Sequence, residues 1–218
     1  MKLPLSAYLN IASDFVPLGA GIARRAYRKG EVALFFSFVF LGFVVEISTF
    51  LLAQRKINNL WILHIYALIE YIILILVFAS WQKERPLLRR LLYGSIWIYT
   101  LFWILSKYQL ERFESIDQYT HSVSALVFVA LSVLTLLDQV RTEESFVPST
   151  VPLYGTFRFW VTVGVLIFFS GNTLLFGLGN VIGALAFKDA VAVWTFHWWL
   201  NITANICYAI GFLCLKRE

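Results

Sequence analysis

The feature that most constrains this chain is a succession of long apolar runs separated by short charged stretches. Seven can be marked, at roughly 3–23, 31–53, 60–80, 87–106, 119–138, 156–178 and 190–215. A membrane-crossing helix needs about 20 predominantly apolar residues, so seven would use roughly 140 of the 218 and leave about 78 for termini and connections. The pattern predicts an all-α polytopic bundle of seven transmembrane helices, with residues 1–218 forming a single transmembrane domain. Within these residues it leaves no space for a kinase, nucleotide-binding or nucleic-acid-binding domain. Composition agrees: charged residues make up 14%, against about 25% in soluble domains, and the mean hydropathy is +0.74.

The first run is the weakest, because it contains Pro4, Asp14 and Pro17. A secretory leader carries its positive charges before the apolar core. Here only Lys2 precedes the run, whereas Arg24, Arg25, Arg28 and Lys29 follow it, so it reads as a span.

Basic residues then set the orientation, since Lys and Arg accumulate in cytoplasmic loops. One set of alternate connections collects Arg24, Arg25, Arg28, Lys29, Lys83, Arg85, Arg89, Arg90, Arg141, Arg158, Lys216 and Arg217. The other set holds Lys2, Arg55, Lys56, Lys107, Arg112 and Lys188. This predicts an N-terminus outside, a C-terminus in the cytoplasm and a multi-pass protein of the cell inner membrane. The net charge of +5 follows from that topology and from anionic lipid. The partner is the lipid bilayer, and no nucleic acid is expected, because no basic polar segment is interleaved with stacking aromatics. Trp97 lies deep in the fourth run and reads as a packing residue. The longest connection, 139–155, carries Pro148 and Pro152 with the adjacent acids Glu143 and Glu144. It reads as a cytoplasmic loop where a cytoplasmic or membrane partner could dock.

Ionisable groups within a span cost on the order of 3 kcal/mol each on insertion scales, so the informative residues are the polar ones in apolar runs. They are Asp14, Glu46, His64, Tyr66, Glu70, His121, Ser170, Asn172, His197, Asn201 and Asn205. The assigned directions put most of them in the outer halves of their spans. His197, Asn201 and Asn205 follow an i, i+4, i+8 spacing and form one stripe that must face protein. The candidate ligand pocket is therefore Glu46, His64, Tyr66, Glu70, Ser170, Asn172, His197, Asn201 and Asn205, opening outward.

No reaction is assigned to these residues. There is no His-x-x-x-His, no His-Glu-x-x-His and no Cys/His cluster, so no metal site and no cofactor are expected. Ser170-Gly171 lies outside any Gly-x-Ser-x-Gly elbow and reads as a close-packing point between helices. Cys207 and Cys214 are seven residues apart on one helix, about 10 Å by helical rise, beyond disulfide reach. Three segments carry a resemblance: Asn58 to Tyr71 around His64 and Glu70, Phe169-Ser170-Gly171-Asn172, and His197 to Asn205. They resemble the signatures of small bacterial seven-span integral membrane proteins, a group without an established activity. The resemblance implies a shared site at these positions and leaves its chemistry open.

The leading expectation is a receptor-like or sensory membrane protein, binding a small ligand or lipid headgroup, rather than an enzyme. A small transporter or proton-coupled carrier is the alternative, and an intramembrane metal-dependent hydrolase is a further one. The plainest reading is that the polar groups only hydrogen-bond helices together.

Overall fold

A computed structural model gives the structure of the chain and describes residues 4–115, 117–145, 152–178 and 187–215. Among the described residues there are seven α-helices. They are α1 (Leu5–Ala23), α2 (Gly30–Gln54), α3 (Leu60–Trp81), α4 (Pro86–Gln109), α5 (Tyr119–Ser145), α6 (Phe157–Gly177) and α7 (Phe187–Leu213). Single 3-10 turns lie at Ala26–Arg28 and Leu153–Gly155. Four segments are long and apolar enough to cross a membrane: Gly30–Gln54, Leu60–Trp81, Tyr119–Arg141 and Phe157–Gly177. The other three helices are more polar: α1 holds Asn10, Ser13 and Asp14, α4 holds Arg89, Arg90 and Lys107, and α7 holds His197, Asn201 and Asn205.

Local chemistry explains the boundaries. Pro86 opens α4 at a position where the missing N–H is not needed by the helix. Lys56 ends α2 in the left-handed region at φ 57°, its N–H bonding back to Ala53. The Asn59 side chain then donates to the Thr49 carbonyl at 2.8 Å, tying the turn into α3. One expectation needs correction. Residues 139–145 belong to α5 rather than to a loop beginning at 139. Hydropathy marks where lipid stops, whereas the helix continues as long as its backbone bonds do, and Gln139, Arg141 and Glu143 are good helix formers. Residues 146–151 of that connection lie outside the described residues.

By its contacts the chain forms two compact units. The first comprises Met1–Ala26, Ala125–Leu175 and Leu185–Glu218; the second comprises Tyr27–Ser124 and Phe176–Ala184.

In the first unit α1 packs along α7. Its buried face reads Ala7, Asn10, Ser13, Asp14, Pro17, Leu18 and Gly21, a three-to-four residue spacing that makes one stripe. Glycines bring α6 and α7 together. A Cβ on Gly164 would lie 2.5 Å from the Tyr208 ring. One on Gly171 would run into the Leu200 side chain, with Cδ2 at 2.8 Å. Gly171 therefore is the close-packing point its sequence context suggests. Phe128 and Phe169 meet at 4.8 Å and Phe157 and Phe212 at 5.5 Å between ring centroids, filling the apolar remainder. Cys207 and Cys214 are both free thiols.

In the second unit α3 lies against α2 and α4. Leu74, Ile75, Val77, Phe78 and Ala79 bury its C-terminal turns almost completely. Tyr71 stacks on Tyr99 of α4 at 3.8 Å, and Gly42 of α2 leaves space for the Tyr66 hydroxyl, 3.2 Å from where a Cβ would stand. Trp97 corrects another expectation: it is 78% exposed rather than a buried packing residue among the described residues. With Ile98 and Leu101 it lies on the outer face of α4, where an aromatic suits lipid as well as core.

Candidate functional site

The nine pocket candidates are divided between the two units. Ser170, Asn172, His197, Asn201 and Asn205 fall in the first unit; Glu46, His64, Tyr66 and Glu70 fall in the second.

In the first unit the set is an interhelical seam. The stripe on α7 faces protein along its length. Asn201 donates to the Asn10 side-chain oxygen at 2.9 Å, and Asn205 donates to Ser13 Oγ at 2.9 Å and to Asp14 Oδ1 at 2.6 Å. One turn earlier, His197 Nδ1 meets the side-chain oxygen of Asn172 on α6 at 2.7 Å. An amide oxygen only accepts, so Nδ1 carries the proton. Ser170 does not join them: it is exposed, and its hydroxyl donates to Ile167 O of its own helix at 3.2 Å. These bonds answer polar groups that lipid could not, leaving Asp14 Oδ2 and Asn172 Nδ2 buried without a hydrogen bond among the described residues, and their chemistry is that of helix association.

The second unit differs in kind. Tyr66 hydrogen-bonds the Glu70 carboxyl one turn along α3, whose Oε2 is buried without a hydrogen-bond partner among the described residues. Glu46 is half-buried on α2, and its backbone carbonyl accepts from Thr49 at 3.0 Å. His64 turns away from both. Its ring is fully buried beneath the α4–α5 connection, where Nε2 lies 2.9 Å from the Ser115 carbonyl and Nδ1 lies 3.5 Å from Asp117 Oδ2. Trp103 donates to the His64 backbone carbonyl at 3.0 Å, and the Phe113 ring sits edge-on to the imidazole at 5.4 Å.

Around this histidine the connection folds back as a charge cluster that sequence reasoning missed. Lys107, at the last turn of α4, donates to Glu111 Oε2 at 2.6 Å, to Asp117 Oδ1 at 3.2 Å and to Thr120 Oγ1 at 3.0 Å. The three ionic side chains are only 5%, 3% and 4% exposed. Glu111 Oε1 accepts the Tyr119 N–H at the start of α5, which answers one of that helix's open donors. Thr120 hydrogen-bonds Asp117, and its carbonyl accepts from the Tyr99 hydroxyl at 3.1 Å. Burial by itself would raise the Asp117 carboxyl. It is outweighed by the His64 imidazole 3.5 Å away, by His121 and Lys107 and by the Thr120 hydroxyl, which hold the carboxyl well below the usual range.

One ammonium faces two carboxylates, so with a neutral His64 the cluster keeps one negative charge uncancelled, and two of its buried polar atoms lack hydrogen bonds, His64 Nδ1 and Asp117 Oδ2. A single cation or proton answers both. The ligand atoms of His64, Glu111 and Asp117 all lie within 4.8 Å of one another. The signal available in the sequence was the density of charge in Lys107-Tyr-Gln-Leu-Glu111-Arg-Phe-Glu-Ser-Ile-Asp117, directly after an apolar run.

No protein-family model, no curated protein and no solved structure matches this chain.

Proposed function

We propose that the chain is a multi-pass protein of the bacterial inner membrane, with seven crossings, the N-terminus outside and the C-terminus cytoplasmic. Its role is receptor-like: the second unit binds a small polar ligand or lipid headgroup at the outer end of α3 and α4. The observation that carries this reading is the pair of buried, unbonded polar atoms on His64 and Asp117, set inside a cluster with one net negative charge. Tying a loop to a bundle needs neutral hydrogen bonds. It does not need four ionisable side chains removed from water, each costing several kcal/mol to bury unless matched. The seam of the first unit supports the complementary assignment, that Asn172, His197, Asn201 and Asn205 hold helices together and are not ligand groups.

Thermal unfolding of detergent-solubilised protein tests this, using a panel of small amines, amino acids, carboxylates and phosphorylated headgroups. At least one compound raises the midpoint for the parent and for Asn201→Leu, each against its own baseline, and does not raise it for Asp117→Asn. Identical responses in all three proteins across the panel would overturn the assignment.

A further inference from the structure

We propose that His64, Glu111 and Asp117 form a binding site for a divalent transition-metal ion of the zinc type. The proposal rests on the reading above, that this cluster takes a ligand, and names its chemical class.

The imidazole is oriented as a ligating histidine is. Metal-bound histidines commonly donate their other ring N–H to a backbone carbonyl or carboxylate, which fixes the tautomer and aims the lone pair. Here Nε2 lies 2.9 Å from the Ser115 carbonyl, which can only accept, so Nε2 carries a proton, and in the neutral ring the Nδ1 lone pair faces Asp117. In that neutral form a lone pair facing a carboxylate oxygen is repulsive, and neither atom has a hydrogen bond within the described residues. A cation between them converts that repulsion into two bonds.

The spacing suits such an ion. Metal–ligand bonds of roughly 2.0–2.2 Å at a tetrahedral angle separate two ligand atoms by about 3.4 Å. His64 Nδ1 and Asp117 Oδ2 are 3.5 Å apart. Glu111 supplies the third ligand within the same 4.8 Å group.

The Lys107 ammonium holds Asp117 through Oδ1 and leaves Oδ2 for the metal; it also holds Glu111 through Oε2, so Glu111 would ligate through Oε1, using the lone pair that the Tyr119 N–H does not take. A mixed imidazole and carboxylate set favours zinc or manganese over magnesium or calcium, which prefer oxygen alone. Trp103 and Phe113 pack around the imidazole and limit water on that side. The three ligands come from α3 and the α4–α5 connection, so no His-rich spacing announces them in the sequence.

The test uses the full chain in detergent, stripped with a chelator and dialysed against zinc chloride, and separately loaded with cobalt(II) for its visible spectrum. The parent, and a variant carrying Cys207→Ser and Cys214→Ser, retain one ion per chain and give a tetrahedral cobalt spectrum. Asp117→Asn and His64→Ala lose at least 100-fold in zinc affinity. Should His64→Ala fail to fold, the near-isosteric Asp117→Asn and the cobalt spectrum decide alone. No stoichiometric ion in the parent, or equal binding by Asp117→Asn, overturns the proposal. If an organic ligand then still stabilises the parent and not Asp117→Asn, the binding reading survives without the metal; if nothing does, both fall.

Discussion

Lys107 is the residue on which the charge cluster depends. Its ammonium bonds two buried carboxylates and a threonine hydroxyl, so its loss leaves Glu111 and Asp117 facing each other away from water. Removing one partner of a buried ion pair costs about 3–5 kcal/mol, and Lys107→Met is expected to cost that much. Glu111→Gln takes out a negative charge from a set that has one to spare and keeps an oxygen for the Tyr119 N–H. It is expected to cost about 1–2 kcal/mol, the scale of an impaired hydrogen bond. Unfolding titrations in mixed micelles give the order, and a larger loss for Glu111→Gln than for Lys107→Met would show that the ammonium is not the centre of the network. Legibility divides along the same residues. His64 and Glu70 stand out in the sequence because an ionisable group inside an apolar run has no solvent to explain it. Lys107, Glu111 and Asp117 sit beyond the run, where charge is ordinary. Only the return of the connection over His64 buries them, and that return is a non-local property of the fold.

Helix existence was readable because every run announces itself by hydropathy. Helix ends and helix faces were less so: α5 outlasts its apolar stretch by seven residues to Ser145, and Trp97 has a side chain that composition alone cannot direct inward or outward. Packing detail lies below both. Nothing in the sequence distinguishes Gly164 from Gly19, yet a Cβ on Gly164 would stand 2.5 Å from Tyr208 Cε1 and 3.1 Å from Cys207 Cβ, whereas one on Gly19 would meet nothing within 4 Å. The Tyr208 ring is buried and cannot swing clear. Gly164→Ala is therefore expected to destabilise by about 1–3 kcal/mol through overpacking, and Gly19→Ala to stabilise by about 0.5–1 kcal/mol through helix propensity. Thermal unfolding of the two single variants side by side checks the contrast; equal shifts of the same sign would mean that α6 and α7 do not meet at Gly164.

For the whole molecule, the asymmetry of basic residues makes a directional statement that labelling can check. In a Cys207→Ser, Cys214→Ser background, a cysteine at the exposed position Glu114 is expected to react with a membrane-impermeant maleimide on intact spheroplasts. One at the exposed position Lys83 is expected to react only after permeabilisation. The opposite pattern would invert the proposed orientation. The seam between α1 and α7 adds a constraint of a different kind, one of time. Asn205 bonds Asp14 across 191 residues of chain. At roughly 5–20 residues per second, the ribosome delivers the amide about 10–40 s after the carboxyl has been made. Throughout that interval the Asp14 carboxyl is without the amide that bonds it in the folded chain. A chain ending before Asn205 would lack that bond permanently, so the seam between α1 and α7 closes only when synthesis is nearly finished.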